Sequence, residues 1–297
     1  MTLTSHQSRI SGTIFTVFNY TFLTCLSLLC ILPLIHILAL SFSSGAAAAA
    51  GEVSLWPVDF NTAAYENIMS KKEYLLAFWI SVKRLFLGTL ISLVLTITTA
   101  YPLSKEASAF QWRTGYTWFF VFTILFGGGL IPWYMTIKAI GLMDTIWALV
   151  LPSALSVFNI ILLLNFYRGL PKELDESARM DGAGHLRALW SIYAPLSKPA
   201  LATVGLFTMV AHWNSWFDGL VLMNRPEHYP LQTFLQTIII MKDMRYISSE
   251  DVELLRLISD RTSTAAQIFV ASFPILLVYP FLQRFFIKGI VLGSVKE

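Results

Sequence analysis

The stretch Glu173–Ala183 reads ELDESARMDGA, placing the carboxylates Glu173, Asp175, Glu176 and Asp181 around the guanidinium of Arg179. Ser177, Ala178, Gly182 and Ala183 between and beyond them are small. The histidines His36, His185, His212 and His228 are scattered, and no pair has ligand spacing, so no metal site is expected. There is no HExxH, no pair of acids within an apolar run and no GxxxxGK[ST] phosphate loop. No catalytic residue is therefore expected, and the chain cannot hydrolyse ATP by itself. By spacing alone, the segment is a short helix begun by Pro171, favoured by acids in its first turn and ended by Gly182 and Gly184. A second helix, HLRALWSIYAPL, follows with Leu186, Leu189, Trp190 and Tyr193 on one face.

A second polar group lies in AHWNSWFDGL, where Trp213, Asn214, Trp216 and Asp218 bring indole, amide and carboxylate into an apolar run. Polar groups at that depth are costly unless they face a cavity or one another. Aromatic faces and amide donors suit sugar rings and hydroxyls. The two tryptophans also fit an interfacial aromatic belt. Asp218 is expected at an outer mouth or paired with a base. Lys83, Arg84 and Lys138 either attract anionic solute or extend to an interface.

The elements carrying these groups are set by composition. The 297 residues are 56% hydrophobic and only 13% charged, against about 25% for soluble domains. The expected class is an all-α polytopic membrane protein, treated as one transmembrane domain over 1–297. A helix needs about 20 apolar residues to cross about 30 Å of hydrocarbon. Six segments qualify, at about 14–41, 80–103, 115–138, 145–167, 199–223 and 264–287. The first is read as an uncleaved span rather than a signal peptide. Cys25 and Cys30 within it are read as packing residues. The third contains FGGGLIPWY, where three glycines and Pro132 predict a break. Trp133 and Tyr134 beside that break, together with the fifth span, are expected to line a path. Placing both termini inside puts eleven Lys and Arg inside and eight outside. The loop 168–198 is then inside and the loop 224–263 outside. In the outer loop, TFLQTIII is expected to be buried, and SSEDVELLRLI to form a capped helix. A net charge of +3 is too small to argue for nucleic acid.

The inner loop resembles the cytoplasmic motif of binding-protein-dependent ABC importers, written EAA, three residues, G, nine residues, I, one residue, LP. Glu176, Ala178, Gly182, Ile192 and Pro195 match at the required spacing, while Ser177 and Ala194 depart from it. Asp181-Gly182-Ala183 also matches the sugar-importing branch. GGGLIPWYMTIKAIGLMDTIWALVLP and WNSWFDGLVLMN are similar to carbohydrate permeases of that superfamily, closest to those handling polymeric saccharides such as alginate. The resemblance implies a coupling helix between spans 4 and 5, with Glu173, Asp175, Glu176, Arg179 and Asp181 supplying charge to a polar socket. It implies a second homologous permease subunit, two cytoplasmic ATPase subunits and an extracytoplasmic solute-binding protein. It places the chain in a bacterial inner membrane. No cofactor is expected on this chain; ATP and Mg would sit on the ATPase subunits. A secondary transporter driven by an ion gradient is the rival, but it would want internal repeats and titratable groups deep in the spans.

Overall fold

The computed structural model describes residues 3–239 and 260–294. Among them there is no strand: the described chain is all-α. Contacts divide it into two compact units, residues 1–71 with 243–272 and residues 72–242 with 273–297.

In the first unit, α1 (Leu3–Ser41) is followed by α2 (Gly45–Ala50) and α3 (Ala63–Ser70). Ser44 caps α2 by accepting from the Ala47 amide. Ala39, Ala47 and Val53 form a small core, and Phe42 stacks between Phe60 and Tyr65. Most of α1 is exposed apolar surface, from Ile14 to Ile35. Cys25 and Cys30 are exposed too, so nothing among the described residues packs them as the sequence led one to expect.

In the second unit, α4 (Lys72–Ser104) is the central helix, packed most extensively on α12 (Lys198–Asn214) and α8 (Val157–Arg168). Its polarity is inverted relative to a helix of a soluble protein. Ser81, Arg84, Gly88, Ser92, Thr96 and Ala100 recur at intervals of three and four and face inward. Trp79, Phe86, Leu90 and Val94 face outward. In lipid, apolar side chains gain little by turning inward, and small residues let helix backbones approach closely. A Cβ on Gly88 would stand 2.4 Å from His212 Nε2, so α4 and α12 touch there only because the residue is glycine. Nearer the loop 168–198, Ile97, Tyr101, Ile160, Leu163, Tyr167 and Ala200 make the main apolar cluster.

Among the described residues, three helices are long and apolar enough to cross a membrane, and counting each of three bent helix pairs as one span would bring the number to six. The pair α5 (Arg113–Leu125) and α6 (Leu130–Ala139) turns by 116° at the FGGG run, where the sequence places a break. Pro132 falls in the first turn of α6, where its missing N–H costs nothing. The segment 145–167, read as one span, is two pieces bent by 48°: α7 (Ile146–Val150), extended by a short turn through Ser153, and α8. Ser156 restarts the helix by capping Asn159. The loop 168–198 holds α9 (Glu173–Met180) and α10 (His185–Ala188), continued by a wider turn over Leu189–Tyr193 into α11 (Ala194–Leu196). An 82° bend then leads into α12. Last come α13 (Phe217–Leu222), α14 (Leu231–Ile239) and α15 (Asp260–Ser294). Within TFLQTIII, Thr233, Phe234, Leu235 and Thr237 are buried, as their apolar pattern required. The Leu231 amide donates to Ser81 Oγ at 2.8 Å, docking α14 on α4. SSEDVELLRLI lies outside the described residues.

Candidate functional site: an acid-rich loop helix and a polar cavity within the bundle

The acid-rich segment folds as its spacing demands. Glu173, Asp175 and Glu176 occupy the first turn of α9, at its positive end. The helix stops at Met180. Gly182 follows at φ +71, a conformation that L side chains rarely adopt, and its amide closes back onto the Arg179 carbonyl.

The charges of α9 divide between two faces. Asp175 turns inward. It accepts from Lys105 Nζ at 2.6 Å and pairs with Arg179 at 3.0 Å. Lys105, just past the end of α4, also donates to Tyr193 Oη at 2.9 Å. Its ammonium lies 4.3 Å from the Tyr101 ring centre and 4.2 Å from that of Tyr193. Burial pushes the Asp175 carboxyl up. The Lys105 hydrogen bond and charge, with the Arg179 charge, outweigh this and hold it below the usual range. Asp175 is therefore engaged within the chain instead of adding charge to an outer surface. Glu173, Glu176, Ser177, Arg179, Asp181 and Gly182 are exposed, while Ala178 is buried and Ala183 half-buried. Lys172 and Glu106 form a second, exposed bridge between the same two regions. Of the apolar face expected on the second helix, only Leu189 and Tyr193 are buried. Leu186 and Trp190 are exposed, and Met180 joins them at 88% exposure.

The second group is deeper. A cavity of about 350 Å³ is lined by Arg84 and Ser92 of α4, Ser153, Ser156, Phe158 and Asn159 around the start of α8, and Phe207, Thr208, Ala211, His212 and Ser215 on or just after α12. Arg84, 1% exposed, pairs with Asp218, donates from Nη1 to its Oδ1 at 3.1 Å, and reaches the Ser215 carbonyl at 3.2 Å. Ser215 Oγ and the Gly219 amide also donate to Asp218. Arg84 therefore neither extends to an interface nor stands free for an anion, correcting both expectations for it. Asp218 has taken the base as partner. Asn159 donates to Thr208 Oγ1 at 3.2 Å. Buried Arg84 Nε, Ser92 Oγ and both ring nitrogens of His212 have no hydrogen-bond partner among the described residues.

The other expected path residues are dispersed. Trp213 is buried edge-on against Phe78 at 5.9 Å, away from the cavity lining. Asn214 is exposed, and Trp216 is 38% exposed beside Phe217. Trp133 and Tyr134 pack on the cluster of Ile137, Leu149 and Leu222. Lys83 and Lys138 are exposed.

Sequence reasoning assigned no role to Asp144. It sits at φ +60 between α6 and α7. Its carboxylate accepts from the amides of Asn224 and Arg225, from Arg225 Nε at 2.8 Å and from His228 Nδ1 at 2.8 Å. Burial raises its pKa, but these bonds together pull it down to about 2. The signal was present as an acid in the turn that follows Gly141, but its partners lie about 80 residues on.

Apolar helices able to cross a membrane, with the polar helix α9 on a loop between them, define the class as an all-α polytopic membrane protein. More particularly, the chain belongs to the family described as binding-protein-dependent transport system inner membrane components, whose pattern matches residues 5–291. Protein LplC of Bacillus subtilis is 38% identical over 99% of this chain and 98% of its own length. A polygalacturonan/rhamnogalacturonan transport system permease protein of the same organism, YtcP, is 37% identical over 95% of this chain and 98% of its own. A chain from the crystal structure of a bacterial ABC transporter involved in import of the acidic polysaccharide alginate superposes with a TM-score of 0.86. It is 33% identical and covers 93% of this chain and 98% of its own.

Proposed function

We propose that the chain is one of two permease subunits of an ATP-driven importer for acidic oligo- or polysaccharide, with alginate the leading candidate. The substrate class rests on two relatives whose names specify uronate-rich polymers. The observation that carries the coupling role is the strap between α9 and α4. Asp175 and Lys105 fix the inner face of α9 to the central helix, while its outer face stays polar and small. Closure of a pair of ATPase subunits against that outer face would then move α9, and α4 with it. Rigid-body motion of this kind is a common route to alternating access.

In this reading the termini are cytoplasmic and the solute passes the cavity between α4, α8 and α12. Ser92, Asn159, Thr208 and His212 offer hydroxyl, amide and imidazole groups for sugar hydroxyls, and Phe158 and Phe207 offer ring faces. Arg84 with Asp218 is a neutral pair, suited to hydroxyls as much as to carboxylates.

The test is ATP hydrolysis by the complete transporter in proteoliposomes with its binding protein, given alginate, pectin or maltose fragments. Stimulation by alginate or pectin fragments is expected. Stimulation by maltose alone would overturn the acidic class. Solute uptake by this chain alone on an ion gradient would overturn the importer reading.

A further inference from the structure

A larger cavity, about 630 Å³, lies behind α9 on the side facing the chain's own spans. It is lined by five cations, Lys105, Arg113, Arg168, Lys172 and Arg179, against three carboxylates, Glu106, Asp175 and Glu176. The formal balance of the lining is +2. The ion pairs account for three of the cations: Lys105 and Arg179 on Asp175, and Lys172 on Glu106. Arg113 and Arg168 are in no ion pair among the described residues. Each is held by a backbone carbonyl at the end of α4: Arg113 Nη1 donates to Lys105 O at 3.1 Å, and Arg168 Nη2 to Leu103 O at 3.3 Å. Two guanidinium groups thus converge on carbonyls two residues apart, each with further N–H groups unspent.

The position bears on what would fill the cavity. α4 and α8 end here and α5 begins here. Trp112 and Tyr116 flank Arg113 and are 74% and 53% exposed, as residues of an interfacial aromatic belt would be. Tyr116 stacks on Phe110 at 5.8 Å. The cavity therefore lies at headgroup depth. Basic pockets between span ends on the cytoplasmic side suit phosphate-bearing headgroups, and paired guanidinium forks match phosphate oxygens.

We infer that Arg113 and Arg168 form a site for a phosphate-bearing anion, filled by the headgroup of an anionic inner-leaflet phospholipid. The site borders the Lys105–Asp175 strap, so its occupant would stiffen the junction through which α9 meets α4. The leaflet rests on the proposed orientation of the chain. The binding test below reads lipid directly and is independent of which saccharide is carried.

The complete transporter is placed in phosphatidylcholine nanodiscs with increasing phosphatidylglycerol, and the lipid retained after detergent extraction is counted by native mass spectrometry. Wild type is expected to retain phosphatidylglycerol. R113Q/R168Q keeps amide donors for the two carbonyls but loses both charges. At about fivefold for each basic residue, its retention should weaken about twenty-five-fold. S108E adds a negative charge to the cavity lining and leaves both guanidinium groups in place, so it should weaken retention about fivefold even if the double variant does not assemble. Inorganic phosphate added to phosphatidylcholine discs separates the sources: displacement of phosphatidylglycerol by millimolar phosphate would overturn the lipid assignment. Equal retention by wild type, R113Q/R168Q and S108E would overturn the site itself. Retention by the permease pair that vanishes once the ATPase subunits bind would give the cavity to a protein partner and overturn it as well.

Discussion

Burying a guanidinium or a carboxylate away from water is expensive, and the attraction between them offsets that cost only while both remain. Arg84 is 1% exposed and Asp218 is its partner. Asp218→Asn or Arg84→Gln alone should therefore destabilise the permease by about 3–5 kcal/mol. The double substitution should recover much of the loss. A double-mutant cycle on thermal unfolding in detergent measures this, and additive losses would show that the two side chains act separately. Asp144 behaves differently because it lies in a turn between helices and titrates. Its pKa is held at about 2, below the ordinary value near 4. A carboxylate with a depressed pKa contributes stability above its ordinary value, and the contribution disappears as pH falls through the depressed one. Asp144→Asn should melt at a lower temperature than the parent at neutral pH, with the gap narrowing from about pH 4 to about pH 2. A constant gap would contradict the assignment. Neither pairing was legible in full. That Asp218 might take a base follows from the cost of a lone buried acid, but the base lies 134 residues away. No local rule selects Arg84 over Lys83, because one residue of helix rotation separates an inward from an outward side chain.

Helix α9 is the element most completely written in its own residues. Acids in the first turn, the stop at Met180 and the positive φ of Gly182 follow from local chemistry alone. Gly182→Ala should cost about 1–2 kcal/mol through backbone conformation while leaving transport coupled. Gly182→Trp adds bulk to the exposed surface and should leave the protein inserted but uncouple uptake from ATP hydrolysis, read as moles of ATP spent per mole of solute. Unchanged stoichiometry in the Trp variant would refute the coupling role. The helix after Gly184 was less legible. Its apolar spacing put four residues on one face, of which Leu189 and Tyr193 are buried while Leu186 and Trp190 are exposed. Periodicity locates an apolar stripe but does not say whether this chain or another surface covers it. Asp175 was misread for a related reason: a charge on a polar helix can serve an internal strap as readily as an outer face.

At the scale of the whole molecule, helices able to cross a membrane were legible because hydrocarbon thickness fixes how many apolar residues a crossing requires. The break at FGGG was legible from residues that disfavour helix, whereas Pro152, which stands at the bend after α7, passed unread inside an apolar run. The separation into two units depends on contacts between distant segments, which hydropathy does not record. The inverted polarity of α4 was hidden for the same reason, since inward serines and threonines are too few to lower the average of so apolar a run.

The turn between α5 and α6 has a consequence for hydration. Gly127, Gly128 and Gly129 belong to neither helix and are exposed, so their amides lack the i−4 carbonyl that a continuous span would supply. Hydrocarbon offers no substitute, so these groups belong against water or a neighbouring protein. In nanodiscs, the amides of 127–129 should take up deuterium within seconds, while the flanking turns of α5 and α6 exchange slowly. Slow uptake at all three would mean that a neighbour seals the turn. Rapid uptake would make this break a wetted notch in an otherwise oily wall.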